Sequence, residues 1–426
     1  METKNKKSRF HRHPTRRDLL KGTGIVALSG IAGCAGEAPA PATTQYRIPV
    51  PTYQSIGAIP VINCRGTMTN LGGSLMPPEV VAAMVEASKN YVSIVQLMEC
   101  AGARLAELTG AEWGCVTSGA AAAMFAGAAG CLTGMDREKI AKLPDTSDMK
   151  NECIVSKAHR TPFDRAIRMA GYTMVEADSK AEMERAFNDK TALIFVWGEI
   201  SAPNHPVGGN IPLKDIIELG NKHGVPILVD AAAERPDPPI SYLAAGCDLV
   251  AYSGGKCLCG PNDAGLLLGR KDLVQAAFEN ISPHSSLGRP MKVSKEAIMG
   301  VLTAMDLWVN GRDHDAEWKE WERRLDYISG KLTQVPTVKT EIIPPGRLCN
   351  NAPSMTITWD QNTIKINAAD FRSKMFAGNP CIDLEYRKGD AFRSRGEWVS
   401  IQPYMMQPGE EIIVAEKVSE AFLSLM

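Results

Sequence analysis

The stretch DLVAYSGGKCLCGPNDAGLLLG (248–269) decides the fold. It opens on one apolar run, DLVAYS (248–253), closes on another, GLLLG (265–269), and sets Lys256 between two glycines and two cysteines in the segment between them. Short apolar runs bounded by glycine read as buried strands. A lysine at the end of a buried strand is costly unless a partner or a reaction uses it. The other reading of Lys256 is a lysine on a surface loop.

Runs of the same kind recur upstream: GCVTS (114–118), ECIVSKA (152–158), YTMVEA (172–177), ALIFVW (192–197) and VPILVD (225–230). Helical patterns lie between several of them. In SIVQLMECAGARLAEL, residues Ile94, Leu97, Met98, Ala101, Leu105 and Leu108 keep a helical period. LKDIIELGNKHG ends on a glycine, a natural helix stop. Strands alternating with helices predict an α/β domain with a mainly parallel sheet over residues 56–305. A charged helical segment, GRDHDAEWKEWERRLDYISGKL, then leads into a smaller α+β domain over 306–426. Its strand-like runs are SMTITWD, CIDLEY and WVSIQPY, and its helices NAADFRSKMFA and EEIIVAEKVSEAFLSLM.

The chain has 426 residues, 44% hydrophobic and 22% charged, the balance of a globular protein. A net charge of −1 supplies no general attraction for phosphate backbones, so no nucleic-acid partner is expected. No apolar run reaches the roughly 18 residues of a membrane-spanning helix. The 11 cysteines form no C-x-x-C pair, and Cys115, Cys131, Cys153 and Cys247 read as small core residues.

The first residues read as an address. Basic residues precede the pair Arg16 and Arg17, then come Leu19, Leu20 and Lys21, a short apolar run, and IAGC ending at Cys34. This layout resembles a bacterial twin-arginine export signal over 1–34 ending in a lipobox, with Cys34 lipidated. Residues 35–55 would form a tether. The expected location is the periplasm or cell envelope, with the membrane touched only through a lipid anchor.

Three elements carry chemistry. VTSGAAAAMFAGAAG (116–130) passes from a strand into an Ala/Gly-rich helix at Ser118, whose neighbours Gly119 and Ala120 offer backbone N–H groups to an anion. Most serine-capped helices bind nothing, so this element alone is weak. VPILVDAAAE (225–234) ends a strand in Asp230, which is either a helix cap or a carboxylate at the strand end where α/β sheets bind ligands. Lys256 follows Asp230 by 26 residues, just after Ser253. Together they fit pyridoxal phosphate: N–H groups and hydroxyls for its phosphate, a carboxylate for its ring nitrogen, and a lysine amine for its aldehyde.

In that order the chain resembles the selenocysteine-synthase-like branch of fold-type-I pyridoxal phosphate enzymes, which includes L-seryl-tRNA selenium transferases and D-glucosaminate-6-phosphate ammonia-lyases. The resembling segments are VINCRGTMTNLGGSLMPPEVVAAM, ELTGAEWGCVTSGAAAAM, VDAAAERP, YSGGKCLCGPNDAGLLLGR and GRPMKVSKEAIMG. The resemblance implies that Lys256 holds the cofactor covalently and later moves the proton at Cα. Asp230 would pair with the ring nitrogen. Ser118, Gly119, Ala120 and Ser253 would hold the phosphate. His159, in IVSKAHRTPFDRA, would place its ring over the cofactor, unless it is a core histidine. Arg289 and Lys292 in GRPMK would meet a substrate or phosphate anion, within the chain or across a dimer interface, unless they are a solvated helix start, and Arg65 in NCRGT is a weaker anion candidate of the same kind. The implied protein is a homo-oligomer acting on a small molecule. An exported protein would meet no aminoacyl-tRNA, so the expected reaction is α,β-elimination with loss of ammonia, with racemisation or group transfer as alternatives.

Rivals from other classes are weaker. SGGK matches S-x-x-K, but the companion motifs S-D-N and K-T-G are missing and two glycines suit a helix poorly. Cys257 and Cys259 could ligate a metal, but the chain has only seven histidines, two of them (His11, His13) in the export segment; no metal is expected. A non-catalytic binding lipoprotein would have no use for Lys256 and Asp230.

Overall fold

A computed structural model describes residues 49–198, 211–345, 350–390 and 393–426. Arg16, Arg17 and Cys34, and with them the export signal, lie outside the described residues. The chain divides into two compact units, Met1–Ile56 and Gly57–Met426. The described part of the first is an exposed segment with a single 3-10 turn, Gln54–Ile56.

In the second unit the strands are β1 (Val61–Asn63), β2 (Trp113–Thr117), β3 (Glu152–Ser156), β4 (Thr173–Ala177), β5 (Thr191–Trp197), β6 (Ile227–Asp230), β7 (Leu249–Ser253), β8 (Gly265–Gly269), β9 (Lys339–Ile343), β10 (Ser354–Thr358), β11 (Cys381–Asp383), β12 (Glu385–Asp390) and β13 (Arg393–Ile401). Seven of them form one sheet in the order β2-β8-β7-β6-β5-β3-β4. All its pairs are parallel except those that β8 makes with β2 and β7. The fold is therefore α/β with a mainly parallel sheet, the fold-type-I architecture. Apolar residues fill both faces of the central strands, as burial between helical layers requires.

The Ala/Gly-rich helix Gly119–Thr133 crosses this sheet. Twelve of its fifteen residues are buried, so it needs small side chains on every face. The helix Ile94–Thr109 buries Met98, Ala101, Leu105 and Leu108, the expected stripe, and stops at Gly110 in the left-handed conformation. The helix Leu213–His223 stops in the same way at Gly224.

The smaller domain is a four-stranded antiparallel sheet, β12-β13-β10-β9, covered by the helices His314–Leu332, Ala368–Phe376 and Glu410–Leu423. Phe371 and Phe422 stack at its centre with centroids 4.2 Å apart. The N-terminal strand does not join the large sheet. Val61, Ile62 and Asn63 pair in parallel with Cys381, Ile382 and Asp383, and Ile62 and Cys64 belong to the smaller core.

Candidate active site

The sheet brings its functional residues to one edge by direction alone. β5, β6 and β7 are parallel, so Trp197, Asp230 and Ser253 end together. β2 reaches the same edge through two antiparallel steps: Thr117 pairs with Gly265, which also pairs with Ser253. Ligands of open α/β sheets bind at such carboxyl ends.

A cavity of ≈ 290 Å³ lies there, lined by Gly119, Ala120, Asp230, Ser253 and Lys256 among others. Asp230 is buried, and its Oδ1 accepts the Ala232 N–H at 3.1 Å. The Ser253 N–H donates to the Ala232 carbonyl at 3.1 Å, which ties the end of β7 to the turn after Asp230. Lys256 sits in a closed turn in which the Gly260 N–H donates to the Gly254 carbonyl and the Cys259 N–H donates back to the Lys256 carbonyl. Among the described residues its amine makes no salt bridge.

The helix start differs from a serine cap. Ser118 accepts no capping hydrogen bond, and Gly119 takes φ 81°. The backbone turns at Gly119, and Gly119, Ala120 and Ala121 of the first helical turn line the cavity. Ser118 is not among the residues that line it. The residues fit pyridoxal phosphate: an N–H-lined helix start for its phosphate, a buried carboxylate for its ring nitrogen and a half-buried amine for its aldehyde converge on one cavity.

The other expected residues are not in the lining of this cavity. His159 ends a 3-10 turn after β3 and is fully buried, outside the cavity lining; burial lowers its pKa to about 4. The aromatic side chains that do line the cavity are Phe163 and Trp197. Arg65 is not a free anion donor. Its guanidinium bonds Glu385 at 2.7 Å and Asp383 at 3.2 Å, so its charge is used inside the smaller domain. Burial works against that charge, yet the two carboxylates outweigh it and raise the pKa. Arg289 and Lys292 are exposed and away from the cavity, and Arg289 bonds the Ser282 hydroxyl at 3.0 Å.

Several lining residues carried no signal in the sequence. Thr67 and Asn262 are two. Glu234 is another: it is buried, with the Tyr242 hydroxyl 3.0 and 2.9 Å from its carboxylate oxygens and 2.8 Å from the Gly198 carbonyl. Burial first, and the Glu234 charge second, push the Tyr242 phenol far above its ordinary pKa. The motif DAAAE contained Glu234, but only the fold places it in the cavity lining with its carboxylate on the buried Tyr242 hydroxyl.

Known proteins resemble this chain. The aminotransferase class-V family matches residues 70–299. The 5'-C-glycyluridine monooxygenase-decarboxylase of a Streptomyces species is 31% identical over 384 residues, 87% of this chain and 92% of that protein. The D-glucosaminate-6-phosphate ammonia lyase of Salmonella typhimurium is 33% identical over 269 residues, 61% of this chain and 70% of that one. A solved structure of D-glucosaminate-6-phosphate ammonia-lyase superposes with a TM-score of 0.75 at 27% identity, over 88% of this chain and 98% of that one. The chain belongs to the aminotransferase class-V family and is a fold-type-I, pyridoxal-phosphate-dependent enzyme related to the ammonia-lyases.

Proposed function

We propose that the enzyme removes ammonia from a small amino acid or amino sugar acid by α,β-elimination. The observation that carries this reading is the convergence of Asp230, Lys256 and the helix start at Gly119 on one cavity, in a chain of which 88% superposes on 98% of an ammonia-lyase. Pyridoxal phosphate supplies, when bound, an electron sink for bonds at the amino-bearing carbon. The chain's own residues do the rest. The helix start would hold the phosphate, and Asp230 would keep a proton on the ring nitrogen. Lys256 Nζ would take the proton from Cα and pass it to the β-hydroxyl, which would leave as water. The released enamine would gain a proton from solvent at Cβ, and one water would hydrolyse it to ammonia and a 2-keto acid.

The test is incubation of β-hydroxy amino acids and amino sugar acids with the holoenzyme in deuterated water. Equal amounts of ammonia and 2-keto acid support the lyase. Deuterated amino acid of inverted configuration without ammonia makes it a racemase.

A second reading has its own support: the Streptomyces monooxygenase-decarboxylase is matched over 92% of its length, both domains included. Oxygen uptake with release of carbon dioxide, measured in the same incubation, favours it over elimination. Export through Arg16 and Arg17, anchoring at Cys34 and assembly as a homo-oligomer belong to the same proposal. Replacing both arginines by lysine should hold the protein in the cytoplasm.

A further inference from the structure

The cofactor cavity has a larger neighbour of ≈ 580 Å³, within the range of small-molecule sites. The two share a wall. Glu234 lines the smaller cavity and Arg235 the larger; Lys256 lines the smaller and Cys257 the larger. The Cys257 thiol lies 3.0 Å from the Glu234 carbonyl. Thr67, from the smaller cavity, donates its hydroxyl to Asn350 Oδ1 at 2.8 Å. Tyr404 donates to the same oxygen at 2.8 Å, and both Asn350 and Tyr404 line the larger cavity.

Its electrostatics are closed. The lining holds three arginines, Arg235, Arg312 and Arg324, and three glutamates, Glu79, Glu317 and Glu320. Arg312 bonds both carboxylate oxygens of Glu317, at 2.7 and 2.8 Å, and the Cys257 carbonyl at 2.7 Å. Arg324 bonds Glu320 at 2.9 Å and the Met406 carbonyl. Arg235 bonds Asp237 at 2.9 Å. Arg235 and Arg312 also stand over the Trp308 ring, 4.9 and 4.7 Å from its centroid. Each guanidinium is thus paired with a carboxylate, Arg312 through both of its oxygens, and a phosphate drawn here would compete with those carboxylates and face exposed Glu79. What the cavity does offer is aromatic, amide and thioether surface: Trp321 and Tyr404 edge-to-face at 5.9 Å, with Asn351, Gln407 and Met405.

We infer that this second cavity binds the part of the substrate remote from the reacting carbon, and that this part is uncharged, an aromatic or polyol group and not a phosphate ester. The inference rests on the reading of the neighbouring cavity as the reaction site.

Calorimetry of the holoenzyme with two matched probes tests it: 4-nitrophenyl β-D-glucopyranoside, which is neutral, and 4-nitrophenyl phosphate. The glucoside should bind with a Kd at least about tenfold lower than the phosphate, a difference well resolved by titration. Trp321→Ala should weaken glucoside binding about fivefold, and Trp321→Phe should restore most of it. Glu317→Gln frees Arg312 from its carboxylate and should raise affinity for the phosphate about tenfold. Equal or tighter binding of the phosphate by the wild-type enzyme, or no saturable binding of the glucoside, overturns the inference. The visible cofactor band and borohydride labelling at Lys256 are followed in the same samples. Loss of those signals with probe binding intact would sink the reaction-site reading and leave the neutral cavity standing.

Discussion

A Cβ added at Gly265 would stand 2.3 Å from the carbonyl carbon of Gly119 and 2.7 Å from the Ala120 nitrogen. The first residue of β8 therefore buttresses the helix start to which the cofactor phosphate is assigned in the proposed function. Backbone atoms on both sides leave nothing flexible to yield. Gly265→Ala should displace that helix start. Its expected stability cost is the 1–3 kcal/mol typical of overpacking, about 2 kcal/mol. Cofactor affinity should fall at least about tenfold. Spectroscopic titration of the apoenzyme with pyridoxal phosphate, beside thermal unfolding, reads both.

Asp230 and Lys256 can be separated by their variants. Lys256→Ala removes the covalent attachment and the Cα base together, so turnover should fall by at least about 10³-fold. Borohydride should then fix no cofactor to the chain. Asp230→Asn keeps an acceptor for the Ala232 N–H but loses the charge that holds the ring proton. It should leave cofactor binding within about tenfold while lowering kcat by about 10²-fold or more. A full-activity Asp230→Asn enzyme would refute the role given to this carboxylate.

Arg65 should behave as a structural residue. Asp383 is buried and keeps Arg372 at 2.8 Å when Arg65 is removed, whereas Glu385 loses its best partner. Arg65→Met should therefore destabilise the smaller domain by about 1–3 kcal/mol, below the 3–5 kcal/mol of a fully uncompensated buried charge. Denaturant unfolding measures this. Substrate KM in the folded fraction should stay unchanged, which an anion-binding arginine would not allow.

The legible parts of this protein are those with local pattern. Asp230, Ser253 and Lys256 were readable because each ends or follows an apolar run, and parallel strands then place such ends on one edge. Strand β1 was not readable in this way, because its parallel pairing partner, β11, lies some 320 residues away and leaves no periodicity near residue 61. Thr67, Asn350 and Tyr404 meet for the same reason only in the fold. Ser118 has the residue type of a cap, but its own backbone, at φ −82° and ψ 75°, is not the extended conformation that a capping serine adopts, and it makes no capping bond.

His159 gives the chain a specific acid sensitivity. It is fully buried, and burial lowers its pKa from 6.5 to about 4. The unfolded chain therefore takes up a proton at this histidine before the folded one does. Stability is complete above pH 6.5, declines as pH falls below that value, and stops declining from this source near pH 4, where both states are protonated. At about 1.4 kcal/mol per tenfold difference in ionisation constant, the total loss is about 3 kcal/mol. Carboxylates titrate toward the lower end of the same window, so the test is a difference. His159→Phe should flatten the stability profile between pH 6.5 and pH 4 relative to the wild type, as read by denaturant unfolding at fixed temperature. Because His159 stands outside the cavity lining, the variant should also keep the visible cofactor band. If the profiles of the two proteins run parallel, the histidine is not held neutral by burial. If instead the band shifts or disappears, its ring contacts the cofactor after all.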